Sequence, residues 1–180
     1  IGTKYVRIVH SENRVLGDIN FIINFKLKSF FKKKLKIIFC IGETLKEKRK
    51  NKTNLILNSQ IINGLKNIKN NNNIIFAYEP VWSIGTGIVP KTKNLENQVL
   101  TIKKMIARFW KLKNPKIIYG GSVNSKNIVE FFNGVSPVNE YCISEYWLCS
   151  ITFAGDPVRN LSMAKGGYGA FCLSAIVLGS

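Results

Sequence analysis

Apolar residues along this chain fall into two alternating patterns. Short, nearly unbroken apolar runs at residues 5–9, 36–41, 74–78 and 116–119 have the length and β-branched content of buried strands, the first interrupted by Arg7. Between them apolar residues recur at helical spacing. Ile19, Ile22, Ile23, Leu27 and Phe31 mark one face, and Leu57, Ile61, Ile62, Leu65 and Ile68 mark a second. Leu95, Val99, Ile102 and Ile106, with Phe109 or Trp110, mark a third. A last helix is predicted over residues 126–132. Thr44 is placed to cap a short turn and Thr92 to cap the third helix, while Pro115 precedes the fourth strand.

Four strands alternating with four helices predict an α/β fold of about four parallel β/α units. The alternation leaves each polar motif at the C-terminal end of a strand: His10, Gly42-Glu43, Glu79 and Gly120-Gly121-Ser122. In a β/α barrel that end holds the active site. Beyond Asn133 the pattern stops. Residues 134–180 show neither a periodic helix nor a strand followed by a helix, and read as an irregular C-terminal tail after a unit spanning residues 1–133. The Gly166-Gly167-Tyr168-Gly169 cluster follows no strand and reads as a loop.

Composition agrees with a globular chain: 180 residues, 46% of them hydrophobic. The formal net charge of +17 raises nucleic acid or an anionic surface as a partner. The excess lysine accompanies abundant Asn and Ile, which reads as a chain-wide bias, and basic and aromatic residues are not interleaved as a stacking platform requires. Nucleic acid is therefore not the expected partner. The charge is uneven: of the 27 Lys and Arg, residues 134–180 hold only Arg159 and Lys165. Cys40 lies in an apolar run and reads as a buried thiol in a reducing compartment. Cys142, Cys149 and Cys172 lack metal-site spacing, so no metal is expected. No apolar run approaches the roughly 18 residues of a membrane span, so no membrane partner is expected. The chain opens at Ile1 without a Met, so a targeting segment cannot be read, and the Asn51-Lys52-Thr53 sequon reads as accidental.

The most informative stretch is AYEPVWSIGTG, residues 77–87. Glu79 sits where a buried strand meets solvent, and a carboxylate there is either a surface charge or a base. Pro80 stiffens the exit, Val81 and Trp82 add apolar bulk, and Gly85-Thr86-Gly87 offers permissive backbone whose amides could close on an anion.

The whole eleven-residue string resembles the loop that carries the catalytic glutamate of triosephosphate isomerases. YVRIVHSENR at residues 5–14, FCIGE at 39–43 and YGGSVN at 119–124 resemble further segments of that family, in the same order, so the resemblance covers about residues 1–133. It implies part of a TIM (β/α)8 barrel, holding the family's strands four to seven. A complete barrel typically takes about 250 residues. It also implies a glycolytic and gluconeogenic isomerase that interconverts dihydroxyacetone phosphate and D-glyceraldehyde 3-phosphate without a cofactor, in the cytoplasm. Glu79 would be the base, His10 the neutral electrophile, and Glu12 a supporting residue. Gly85, Gly121 and Ser122 would bind the substrate phosphate. A carboxylate base beside a neutral imidazole is a familiar example of pKa tuning in this same family, and is carried over from it here.

The chain departs from the family at several points. Val9 stands in place of Gly, and Asn13 in place of the first Arg of the HSERR segment. The family's first three strands, with their Asn and Lys, have no match, nor does the loop through which the family forms homodimers. By spacing, the glycine pair of the eighth strand would fall at Ser144-Glu145, where a carboxylate would repel phosphate. A non-catalytic basic binding module and an inert barrel fragment are the alternative readings.

Overall fold

A computed structural model describes residues 5–8, 20–32, 35–69, 72–124, 126–135 and 140–143. The elements run β1 (Tyr5–Ile8), α1 (Asn20–Phe31), β2 (Lys36–Ile41), α2 (Leu45–Arg49), α3 (Thr53–Gly64) and β3 (Ile74–Tyr78). A 3-10 turn (Val81–Ser83), α4 (Thr92–Trp110), β4 (Ile117–Val123), α5 (Ile128–Gly134) and β5 (Glu140–Ile143) follow. The five strands form one sheet in the order β1-β2-β3-β4-β5, with every neighbouring pair parallel. Such stepwise parallel pairing, with helices between strands, is the arrangement of a segment of a β/α barrel.

Both faces of the central strands are covered, which is why they read as unbroken apolar runs. All five residues of β3 and five of six in β2 are buried. One face packs against the helices. There the register aligns Ile8, Phe39, Phe76 and Ile117 in one row across the sheet, and Ile41, Tyr78 and Tyr119 in the next outward-facing row. Ile38, Cys40, Ile75, Ala77 and Ile118 form a separate cluster on the other face. Phe76 is the centre of the helix-side core: its ring lies 6.0 Å from Phe39 and 6.2 Å, edge-on, from Trp110.

The helices follow the predicted stripes with local corrections. In α4, Leu95, Val99, Ile102, Ile106 and Trp110 are buried, and Trp110, not Phe109, completes the stripe. The Trp110 indole donates to the Ile68 carbonyl at 2.9 Å, which fixes the ring against the end of the α3 unit. In α1 the buried line is Ile23 and Leu27. Ile22 is exposed beside Phe21 and Phe25, because one helical residue turns the side chain by about 100° away from the packed line. Ile19 lies outside the described residues. Asn24 donates to the carbonyls of Gly64 (2.7 Å) and Lys66 (2.9 Å), tying α1 to the end of α3.

Thr44 caps α2 as expected, in a reciprocal capping box with Glu47. Thr92 is the first helical residue of α4 and not its cap; Lys91, with extended backbone, holds the cap position without a side-chain bond. The fourth strand continues through Gly120-Gly121-Ser122 to Val123, where a loop was expected. β5, which the apolar pattern did not announce, supplies the ladder partner: Val123 pairs with Ile143 after a register shift from Tyr119. The parallel sheet thus extends past Asn133 to Ile143, and Ser144-Glu145 lie outside the described residues. Among the described residues no helix is long and apolar enough to cross a membrane.

The core assignment is testable. Phe76→Ala is expected to lower the unfolding free energy in denaturant titrations by about 3–5 kcal/mol. Phe109→Ala should change it by no more than about 0.5 kcal/mol. Comparable losses at the two positions would contradict the placement of Trp110.

Candidate active site

The site is built on an extension of the β2–β3 ladder past the ends of both strands. The Glu79 amide donates to the Ile41 carbonyl at 2.8 Å, and the Val81 amide donates to the Glu43 carbonyl at 3.0 Å. Alternation from Ile75 and Ala77 then puts Glu79 on the face opposite the helices, at the C-terminal end of its strand, where it is 1% exposed. The extension requires Gly42. A Cβ there would lie 1.9 Å from the Glu79 carbonyl oxygen. Gly42 is held in turn by a reciprocal pair with the buried Gln60 of α3, its amide donating to Oε1 and its carbonyl accepting from Nε2, both at 2.9 Å.

Glu43 is the second buried carboxylate. Its Oε1 accepts from the Trp82 indole at 2.9 Å, and both carboxylate oxygens lie 3.3 Å from the Tyr78 hydroxyl. The Lys48 ammonium sits 3.2 Å from the centre of the Trp82 ring, a cation–π contact on the α2 side of the cluster. Burial pushes the Glu43 carboxyl above its usual value of 4.5, although the bonds from Trp82 and Tyr78 and the charge of Lys48 pull the other way. Tyr78 is raised well above its ordinary value by burial and then by the Glu43 charge. Burial lowers Lys48, against the attraction of Glu43. The cluster fixes both ends of the strand exit: Tyr78 precedes Glu79 and Trp82 follows it.

After the 3-10 turn the chain forms an exposed loop, residues 84–88, with Gly85 and Gly87 at φ of 66° and 72°. That left-handed region is why glycine stands at these two positions. The loop is joined to β4. The Gly87 amide donates to the Ser122 hydroxyl at 3.2 Å, and Ser122 Oγ donates to the Ser83 carbonyl. Ser122 itself has a φ of 44°, a left-handed backbone within β4, where the register with β5 shifts between Tyr119 and Val123. A Cβ on Gly121 would come within 2.4 Å of the Tyr119 hydroxyl and 2.7 Å of Ser83 Oγ, so in this state the glycine accommodates those side chains.

The structure therefore brings Glu79, the loop carrying Gly85, and Gly121-Ser122 to the same end of the sheet. His10 and Glu12 lie outside the described residues. Among the described residues no group of three His, Cys, Asp or Glu side chains could hold a metal ion. Sequence reasoning gave no role to Gln60, Ser83 or Tyr119. Gln60 carried a usable signal, a polar residue between Leu57 and Ile61 on an apolar face. Ser83 carried none, because its partners on β4, Tyr119 and Ser122, lie 36 and 39 residues away along the chain.

The raised Glu43 pKa has a defined consequence for stability. The folded chain favours the protonated carboxyl relative to the unfolded chain, so this contribution is fully present below about pH 4.5 and is lost as pH rises through the higher folded-state value. Unfolding free energies measured from pH 4.5 upward should fall more steeply for the wild type than for Glu43→Gln. Identical slopes would mean that Glu43 is not buried as described.

Comparison with known proteins agrees with this geometry. The profile of the triosephosphate isomerase family matches residues 1–136. The chain is 42% identical over 130 residues to the triosephosphate isomerase of Thermodesulfovibrio yellowstonii, covering 71% of this chain and 53% of that relative. It is 40% identical over 136 residues to the enzyme of the same name from Leptospira interrogans (71% and 54% covered). With that of Dictyoglomus thermophilum it shares 39% over 139 residues (74% and 56%). The chain spans about half the length of the curated relatives it matches. A match over most of the chain, with Glu79 at the C-terminal end of a barrel-type parallel sheet, shows that the chain belongs to the triosephosphate isomerase family.

Proposed function

We propose that the chain catalyses triose-phosphate isomerisation, interconverting dihydroxyacetone phosphate and D-glyceraldehyde 3-phosphate through an enediolate. The observation that carries this reading is Glu79 itself: a buried carboxylate at the strand end, followed along the chain by a glycine-containing loop that is hydrogen-bonded to Ser122 at the same end of the sheet. A carboxylate positioned at the end of a barrel-type strand is the kind of group that serves as general base toward a carbon-bound proton. Glu79 takes that proton from the carbon next to the carbonyl. His10, supported by Glu12, donates a hydrogen bond to the carbonyl oxygen as charge develops there, and moves protons between the two enediolate oxygens. Glu79 then returns its proton to the neighbouring carbon, so the reaction consumes no cofactor.

The substrate's phosphate is held between the Gly85 amide and the Gly121-Ser122 end of β4. Backbone amides in left-handed and bridging conformations converge on an anion without bringing a counter-charge of their own. Residues 1–133 supply these groups, and the triose phosphate is the small-molecule partner in this reading.

A coupled isomerase assay on the purified protein tests the assignment. Glu79→Gln is expected to lower kcat by about 10³-fold, within the range of a positioned general base. His10→Gln should lower it by about 10²-fold. Isomerisation unchanged in Glu79→Gln would exclude Glu79 as the base, and no isomerisation by the wild-type protein would overturn the activity.

A further inference from the structure

We propose that Ser83 is a positioning residue, whose hydroxyl latches the 84–88 loop over the Glu79 end of the sheet and so pre-organises the amides that meet the substrate phosphate. The proposal rests on the isomerase reading for its effect on substrate, but the latch itself does not.

The loop has little packing to hold it. Gly85, Thr86, Gly87 and Ile88 are exposed, and a Cβ at either glycine would meet nothing within 4 Å. Its position depends on hydrogen bonds. Two of these are internal: Thr86 Oγ1 donates to the Trp82 carbonyl at 2.9 Å and accepts from the Ile88 amide at 3.2 Å. They shape the loop but do not join it to β4.

Ser83 stands at the centre of the bonds that do. It is 0% exposed. Its hydroxyl donates to the Ile88 carbonyl at 2.6 Å, which closes the loop onto its own root. With its single proton used there, the same oxygen accepts from the Tyr119 hydroxyl of β4 at 3.2 Å. Its carbonyl accepts from Ser122 Oγ, the atom that also receives the Gly87 amide. One residue thus connects the last residue of the loop to two residues of β4. Alanine at this position keeps the carbonyl contact and removes both hydroxyl contacts.

A lid whose seated form is less populated in the free protein weakens apparent substrate affinity in proportion to the lost population. It leaves the chemical step untouched once substrate has seated it. Loss of folded protein would instead lower kcat per chain at constant KM.

Hydrogen exchange of the loop amides, together with steady-state kinetics, tests the latch in the wild type, Ser83→Ala and Tyr119→Phe. Ser83→Ala is expected to speed exchange at Gly87 and Ile88 by about five- to tenfold, the effect of losing one or two ordinary hydrogen bonds. Core amides such as Phe76 and Ile106 should keep their wild-type rates. Tyr119→Phe should give a smaller increase, and the double variant no more than Ser83→Ala alone, because both remove the same link. In the isomerase assay Ser83→Ala should raise KM several-fold at constant kcat.

Unchanged exchange at Gly87 and Ile88 in Ser83→Ala, or a uniform increase through the sheet, overturns the proposal. So does a fall in kcat at constant KM. Should Ser83→Ala fail to fold, unchanged loop exchange in Tyr119→Phe overturns it equally. Loop exchange that responds as expected in a protein without isomerase activity supports the latch while removing the isomerase reading.

Discussion

The arrangement of the site depends on one close passage of backbone over backbone. Where β2 and β3 end, the Glu79 carbonyl runs across Gly42 at a distance that no side chain at position 42 could share. That passage allows the Glu79 amide to remain on the β2 ladder one residue beyond its strand. It holds the carboxylate at the C-terminal end of the sheet, buried to 1% exposure. The buried Gln60 bonds both polar groups of Gly42 and fixes the passage from the helix side. A helix of the outer layer thus sets the position of a group on the opposite face of the sheet.

Glu43 extends the same logic to the loop. A carboxylate buried at this point is costly unless its oxygens are satisfied, and here the donors come from residues on either side of Glu79. The cost of burial is therefore offset by bonds that also restrict the strand exit. Lys48 over the Trp82 ring places a positive charge near the buried negative one without a direct ion pair. The root of the loop is buried and hydrogen-bonded to Glu43, while its tip, built around two left-handed glycines, is exposed and bonded to β4 through the Gly87 amide and the Ser122 hydroxyl.

The strands and most helix faces were legible along the chain because both faces of a parallel sheet are covered. Ile74 to Tyr78 cannot be mistaken for a surface strand when each residue is apolar. The α4 stripe was legible for a similar reason, since a long amphipathic helix repeats its pattern over five turns. Errors arose where packing, not period, decided. Ile22 matched the α1 spacing yet points outward, because the helix meets the sheet along Ile23 and Leu27. β5 escaped notice because four residues among turn formers carry no periodic signal, and its strand character comes from the ladder that β4 offers it.

By itself the sequence determined the alternation of strands and helices, the family, and the identity of Glu79 as a strand-end carboxylate, since all three are written in local spacing and short motifs. Tertiary structure alone decided that Gly42 must lack a side chain, that Glu43 is the buried hydrogen-bond acceptor for Tyr78 and Trp82, and that Ser83 and Ser122 meet. The partners in these contacts lie some 35 to 40 residues apart along the chain. Their meeting depends on parallel strands placed side by side by helices, and no local pattern of apolar and polar residues encodes which side chains that register will bring together.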